Sequence, residues 1–192
     1  MKDKNIRADI VSYLEKEILR RCKCKDNYFG EGVYHHITAV VNNAEQTADR
    51  YGADKEIVII GAWLHDIASI TDYKLYREHH IYGQYIAENI LKQFDYEQDK
   101  IELVKKCILH HRGGVLMQKD TPEEICVSDA DAVSHFDNIP SLLYLAYVTK
   151  GMGIEEGAAF IREKLRRSWG KLSVLGKELN YNKYQEAMRI LS

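Results

Sequence analysis

Eight consecutive apolar residues, Ile57 to Leu64, run directly into the dipeptide His65-Asp66. A segment that is hydrophobic on every side must be buried. The run therefore carries an imidazole and a carboxylate into an interior where each needs a partner. At 8 residues it is far short of the roughly 20 that span a bilayer, so it reads as a core helix. Apolar residues recur at helical spacing elsewhere as well, beginning with Ile6, Ile10, Leu14 and Ile18, and no sustained period-two alternation is present. The expected fold is all-α, with helices near 5–22, 33–51, 54–68, 78–94, 97–112, 122–137, 140–150, 154–168 and 181–191.

Punctuation at the helix ends supports this reading. Asp54, after Gly52, can cap the third helix, and Thr121-Pro122-Glu123-Glu124 supplies a capping hydroxyl, a Pro at the first helical position and a Glu at the third. Gly30 and Gly32, Gly113-Gly114 and Gly151-Met152-Gly153 mark loops and match no phosphate-cradling pattern. With 192 residues, 45% of them apolar, the chain can build one substantial core, which implies a single domain over 1–192. Its 27 basic and 29 acidic residues leave a formal charge of -2. That balance offers no excess for holding nucleic acid or an anionic membrane, so any phosphate recognition must be local. The first ten residues mix both charge signs and contain no apolar run of signal-peptide length, and the expected location is the cytoplasm. Cys22, Cys24, Cys107 and Cys126 contain no C-x-x-C and read as reduced thiols.

Six of the 8 histidines fall in three doublets, His35-His36, His79-His80 and His110-His111, and a seventh is His65. His36 shares a helix stripe with Val40 and Ala44 and should point inward. Asp129-Ala130-Asp131 sits in an apolar helix with Ile125, Val127 and Val133. An inward His, a buried His-Asp pair and a late buried Asp on three helices can converge as metal sites in helical bundles do. Coordination meets the demand of a buried carboxylate for a partner and of an imidazole for two. Helix periodicity alone leaves Asp129 and Asp131 equivalent.

Residues 33–51 (VYHHITAVVNNAEQTADRY), 61–68 (GAWLHDIA), 79–83 (HHIYG), 108–111 (ILHH) and 127–133 (VSDADAV) resemble, in order and spacing, the HD-domain metal-dependent phosphohydrolases. The resemblance covers a core of about 30–137 and leaves 138–192 as a helical extension. It implies metal ligands at His36, His65, Asp66 and Asp131, and it alone selects Asp131 over Asp129. Two imidazoles and two carboxylates suit a divalent ion, with Mn²⁺ or Fe²⁺ favoured and Co²⁺ or Ni²⁺ also suitable. Such an ion polarises a phosphoryl oxygen and lowers the pKa of bound water. The implied activity is hydrolysis of a phosphate ester or anhydride, on a nucleotide or another small phosphorylated metabolite.

Asp66 is then placed to orient the attacking water. His80 and His111, on inward helix faces, are expected as phosphate ligands or a general acid beside one metal ion. Their doublet partners His35, His79 and His110 are expected outward or in support, and His135 at the surface. Lys74, Arg77 and Arg112 flank the histidine doublets and are the expected phosphate-binding cations. Arg162, Arg166 and Arg167 read as a solvated helix face. Trp169 to Tyr184 can pack on the domain or on a second subunit, so a homodimer is one expected assembly. Some resembling phosphohydrolases carry Arg where this chain has Ala39. The segment after His111 also lacks the Gly-Tyr-Pro tract of the cyclic-dinucleotide branch. Two other readings compete: a di-iron oxygenase on the same fold, and a ligand-binding regulator without turnover.

Overall fold

The structure, a computed structural model, describes residues 6–112 and 118–191. Gly113 and Gly114, read above as a turn, lie outside the described residues. Among those residues the chain is all-α, with no strand.

Helix α1 (Ala8–Cys22) buries Ile10, Leu14, Ile18 and Cys22, a single stripe at every fourth position. Helix α2 (Val33–Tyr51) buries Val33, Ile37, Val40, Ala44 and Ala48 and stops at Gly52. The backbone there turns left-handed with φ of 67°, a conformation that costs glycine nothing. In α3 (Lys55–Leu64) the Asp54 carboxylate accepts from the Glu56 and Ile57 amides, and every residue from Glu56 to Leu64 is buried. Helix α3 packs against α2, α5 and α6, which accounts for its lack of a polar face. Helix α4 (His79–Lys92) pairs with α5 (Gln98–His110), and α5 leans on α3.

Helix α6 (Pro122–Asp137) joins two apolar clusters. Cys126, Val127 and Ala130 belong to the core built with α1 to α5. Ala132, Val133 and Phe136 belong to a second cluster with Leu142, Ile161, Leu165 and Ala187 from the C-terminal helices. Those helices are α7 (Ile139–Leu143), α8 (Ile154–Lys171) and α9 (Val174–Ile190).

Several boundaries differ from the sequence expectation. Helix α3 ends at Leu64 instead of 68, and the chain then runs through tight turns, with Ile67 N donating to Leu64 O at 3.1 Å. His65 and Asp66 thus sit at the end of a buried helix and not within it. A 3-10 turn at Tyr73–Glu78, capped by Asp72, was not expected. The segment expected as one helix over 140–150 is α7 followed by a π-helical turn at Tyr144–Thr149. Helix α9 begins at Val174, with Ser173 capping it, well ahead of the expected 181. Gly176 and Asn180 lower helix propensity there, but burial of Gly176 against α6 overrides it. No helix among the described residues is long and apolar enough to cross a membrane.

Candidate metal centre

His36 projects from the inner stripe of α2, His65 and Asp66 from the end of α3, His79 from the first turn of α4, His111 from the end of α5, and Asp131 from α6. Their donor atoms form two groups, His36 with His65 and Asp131, and Asp66 with His79 and His111, each group lying within 4.8 Å. Asp66 joins the two. Its Oδ2 lies 3.6 Å from His65 Nε2 and 4.0 Å from His36 Nε2, while its Oδ1 lies 3.4 Å from His79 Nε2 and 3.8 Å from His111 Nε2. Asp131 Oδ1 lies 3.3 Å from His36 Nε2.

The hydrogen bonds on the far side of each ring fix what these nitrogens can do. His65 Nδ1 donates to Ala62 O at 2.7 Å, His79 Nδ1 to Tyr76 O at 2.7 Å, and His111 Nδ1 to Ile108 O at 2.6 Å. Carbonyls only accept, so the ring proton is on Nδ1 in all three. Ser134 Oγ donates to Asp131 O and therefore accepts from His36 Nδ1 at 2.9 Å. With the proton at Nδ1, a neutral ring at each of the four positions turns an Nε2 lone pair inward, with His36 facing His65 at 3.3 Å and His79 facing His111 at 3.1 Å. Lone pairs facing one another beside two carboxylates repel unless a cation lies among them. The donor set fits a divalent ion, with outer hydrogen bonds of the kind that orient metal-bound histidines.

The electrostatics agree. Burial pushes the imidazoles of His65 and His111 below the ordinary histidine value, which keeps them neutral and able to ligate. Burial would raise the Asp131 carboxyl, but the Lys171 ammonium overcomes it and the group lies well below the carboxylate range. Lys171 is ion-paired to Asp131 Oδ2, on the side away from the contact with His36. His110, next to His111, is anchored by the fully buried Glu124 carboxylate, which steadies the end of α5.

The cluster opens into a cavity of about 370 Å³ whose lining includes His36, Asp66, His79, His111, Arg112, Asp131 and His135. His80, expected beside the substrate, is absent from that lining. Its Nδ1 accepts from Arg112 Nη1 at 3.4 Å, and His79 takes the inward place. Both residues precede Gly83 and Ala87 at helical spacing, so sequence periodicity does not separate them. His135, expected at the surface, is half-buried, stacks on His36 with ring centroids 4.9 Å apart and hydrogen-bonds Ser168 at 3.1 Å.

Of the three expected phosphate cations, only Arg112 reaches the cavity. Lys74 is exposed beside the Tyr73 ring, and Arg77 is exposed, offering only its carbonyl to Arg112. Both sit on the outer side of the 3-10 turn. The remaining cavity cations, Lys164, Arg167 and Lys171, come from α8 and were not singled out as ligands from sequence; Arg167 in particular is a cavity residue instead of part of a solvated strip. Asp129 is tied elsewhere. It accepts from Tyr51 Oη at 2.8 Å and Ser173 N at 3.0 Å, which makes it a structural joint between α2, α6 and the start of α9.

Comparison with known proteins places this geometry in context. The HD domain model matches residues 33–135, more than half of the chain. A Clostridium beijerinckii protein without an assigned activity is 28% identical over 113 residues, covering 54% of this chain and 72% of that one. Ribonuclease Y of Petrotoga mobilis is 29% identical over 118 residues, which is 62% of this chain but 21% of the relative. Ribonuclease Y of Fusobacterium nucleatum is 33% identical over 116 residues, again 21% of its length. This chain thus matches only about a fifth of each ribonuclease. Among solved structures, Bacillus subtilis YpgQ in complex with ADP superimposes with a TM-score of 0.63 at 17% identity, covering 94% of this chain and 93% of that one. A Lactobacillus plantarum protein superimposes with a TM-score of 0.67 at 16% identity, covering 97% of this chain and 95% of that one. The matched span and the shared helical fold assign the chain to the HD-domain family.

Proposed function

We propose that this protein is a metal-dependent phosphohydrolase that cleaves a phosphate ester or anhydride of a small phosphorylated metabolite, with a nucleotide as the favoured class. One observation carries the reading: four imidazole nitrogens and two carboxylates converge beside a cavity whose lining also carries four cationic side chains, Arg112, Lys164, Arg167 and Lys171. His36, His65, Asp66 and Asp131 would hold the ion. A divalent ion in such a site supplies polarisation of a phosphoryl oxygen and a lowered pKa for water. The chain's own groups do the rest. Lys171 keeps Asp131 ionised, and Asp66 offers an oxygen to orient the attacking water. Arg112, braced by Arg77 O and His80, presents its guanidinium to a phosphate. Phe29 and Tyr144 add aromatic rings to the lining, on which a nucleobase can stack. The likeness to a fold that holds ADP points the same way.

The second group of donors, Asp66, His79 and His111, favours a second reading in which two ions are bound. Metal analysis of the purified chain separates one ion per chain from two, and oxygen consumption with two irons would favour the oxygenase reading. The decisive assay is phosphate release from nucleoside mono-, di- and triphosphates, with an RNA oligonucleotide included because of the ribonuclease Y relatives, in Mn²⁺, Fe²⁺ and Co²⁺. Turnover on at least one nucleotide is expected. Silence across the panel from protein shown to hold metal would overturn the proposal.

A further inference from the structure

Helix α8 turns Lys164, Arg167, Ser168 and Lys171 into the cavity, a set spaced i, i+3, i+4 and i+7 and therefore one helix face. From Lys164 to Lys171 this face extends roughly 10 Å along the helix axis at about 1.5 Å per residue. That is longer than one phosphate group needs. The neighbouring stripe, Ile161, Leu165 and Leu172, is packed into the second apolar cluster, so the orientation of the helix is set by its core side. The whole helix lies outside the span matched by the family model, which ends at residue 135.

Two of the three cations on this face are spare. Lys171 is ion-paired to Asp131, but Lys164 and Arg167 make no hydrogen bond or ion pair with any described residue. Two other arginines of the same helix are already engaged: Arg162 donates to Leu191 O at 2.6 Å, and Arg166 pairs with Glu163 at 3.8 Å. Among the described residues the only carboxylates lining the cavity are Asp66 and Asp131. Arg112, Lys164, Arg167 and Lys171 thus exceed them by two positive charges, and a divalent ion adds two more. A phosphomonoester brings roughly two negative charges at neutral pH, leaving that excess only half neutralised. A chain of phosphoryl groups matches both the charge and the length of the wall.

We propose that Lys164 and Arg167 form a wall that grips phosphoryl groups beyond the one facing the metal donors. The preferred ligand is then a phosphoanhydride with two or more phosphoryl groups, such as a nucleoside di- or triphosphate, and not a monoester. This rests on reading the cavity as a phosphate site, but it is tested by binding, without turnover. The purified full-length chain is titrated calorimetrically with orthophosphate, pyrophosphate and tripolyphosphate, its metal content being measured before and after. Affinity should rise at least about tenfold from orthophosphate to tripolyphosphate. Arg167→Gln and Lys164→Gln should each weaken tripolyphosphate by about tenfold while leaving orthophosphate within about twofold. Arg166→Gln, which removes the same charge from the outer face, should change neither. Equal affinity for the three anions, or variants that weaken all three alike or none, would overturn the inference. Should Lys164→Gln fail to fold, the exposed Arg167 carries the test alone. A binding gradient in a protein that releases no phosphate from any nucleotide would sink the hydrolase reading and leave this one standing.

Discussion

A β-carbon added to Gly176 would stand 2.3 Å from Asp129 Oδ2. No Cβ tolerates that distance, and Asp129 cannot retreat because Tyr51 and Ser173 hold it from either side. Gly176→Ala should therefore destabilise the protein by about 1–3 kcal/mol, the range for overpacking a close-packed site. Urea unfolding checks this, and an unchanged midpoint would mean that α9 docks more loosely than described. Metal uptake by the folded fraction should persist, since Asp129 takes no part in the donor cluster.

Asp66 is the one side chain with an oxygen toward each donor group, so Asp66→Ala should abolish both metal retention and turnover. His79→Ala should weaken metal binding by about tenfold or more, while His80→Ala should keep the metal and lose substrate affinity through Arg112. Metal analysis after gel filtration distinguishes the two histidines. If His80→Ala loses the ion and His79→Ala keeps it, the inward placement of His79 is wrong. Chelation should stop activity, and added Mn²⁺ should restore it.

Acid should loosen α1 at a defined place. The Arg20 guanidinium, opposed by partial burial and aided by Arg21, holds the Glu17 carboxyl down at about 2. In the unfolded chain the group titrates near ~4.3. The folded value being the lower one, this stabilisation is complete above the unfolded value and is lost as pH falls from about 4 towards 2. Its size should be about 1 kcal/mol, because Arg20 is largely exposed. Glu17→Gln should reduce the drop in stability between neutral pH and pH ~2 by most of that amount; an identical pH profile in the variant would show that the pair contributes nothing.

Thiol reactivity should divide one against three. Cys24 is exposed, whereas burial pushes the Cys22 and Cys126 thiols up to about 12 and raises Cys107 well above the ordinary thiol value. Only Cys24 should react rapidly with a thiol reagent in native protein, and all 4 should react after denaturation. Rapid modification of two or more native thiols would contradict the packing around α1 and α6.

The inward placement of His36, His65 and Asp66 was legible in the sequence because each sits on or beside an apolar stripe that can face only inward, whereas Asp131 was separated from Asp129 by the family resemblance alone. The all-α fold was legible for the same reason. What escaped depended on tertiary placement or on a single residue of register. His79 and His80 share the same apolar neighbours at helical spacing, and only the docking of α4 on α5 decides which ring enters the cavity. Lys164, Arg167 and Lys171 form a polar face of an amphipathic helix, which from sequence looks like any solvated face. Its direction is set by Ile161 and Leu165 packing beneath α6. The early start of α9 was hidden because Gly176, a poor helix former, is required by its approach to Asp129.

His65 and Asp66 are joined by a single peptide bond yet serve different donor groups, so the end of α3 acts as a shared pivot. A substitution that slides this helix end moves both halves of the centre at once and cannot retune one of them alone. Independent adjustment is open only to the outer donors, His36 and Asp131 for one half and His79 and His111 for the other, since each of these rides on its own helix.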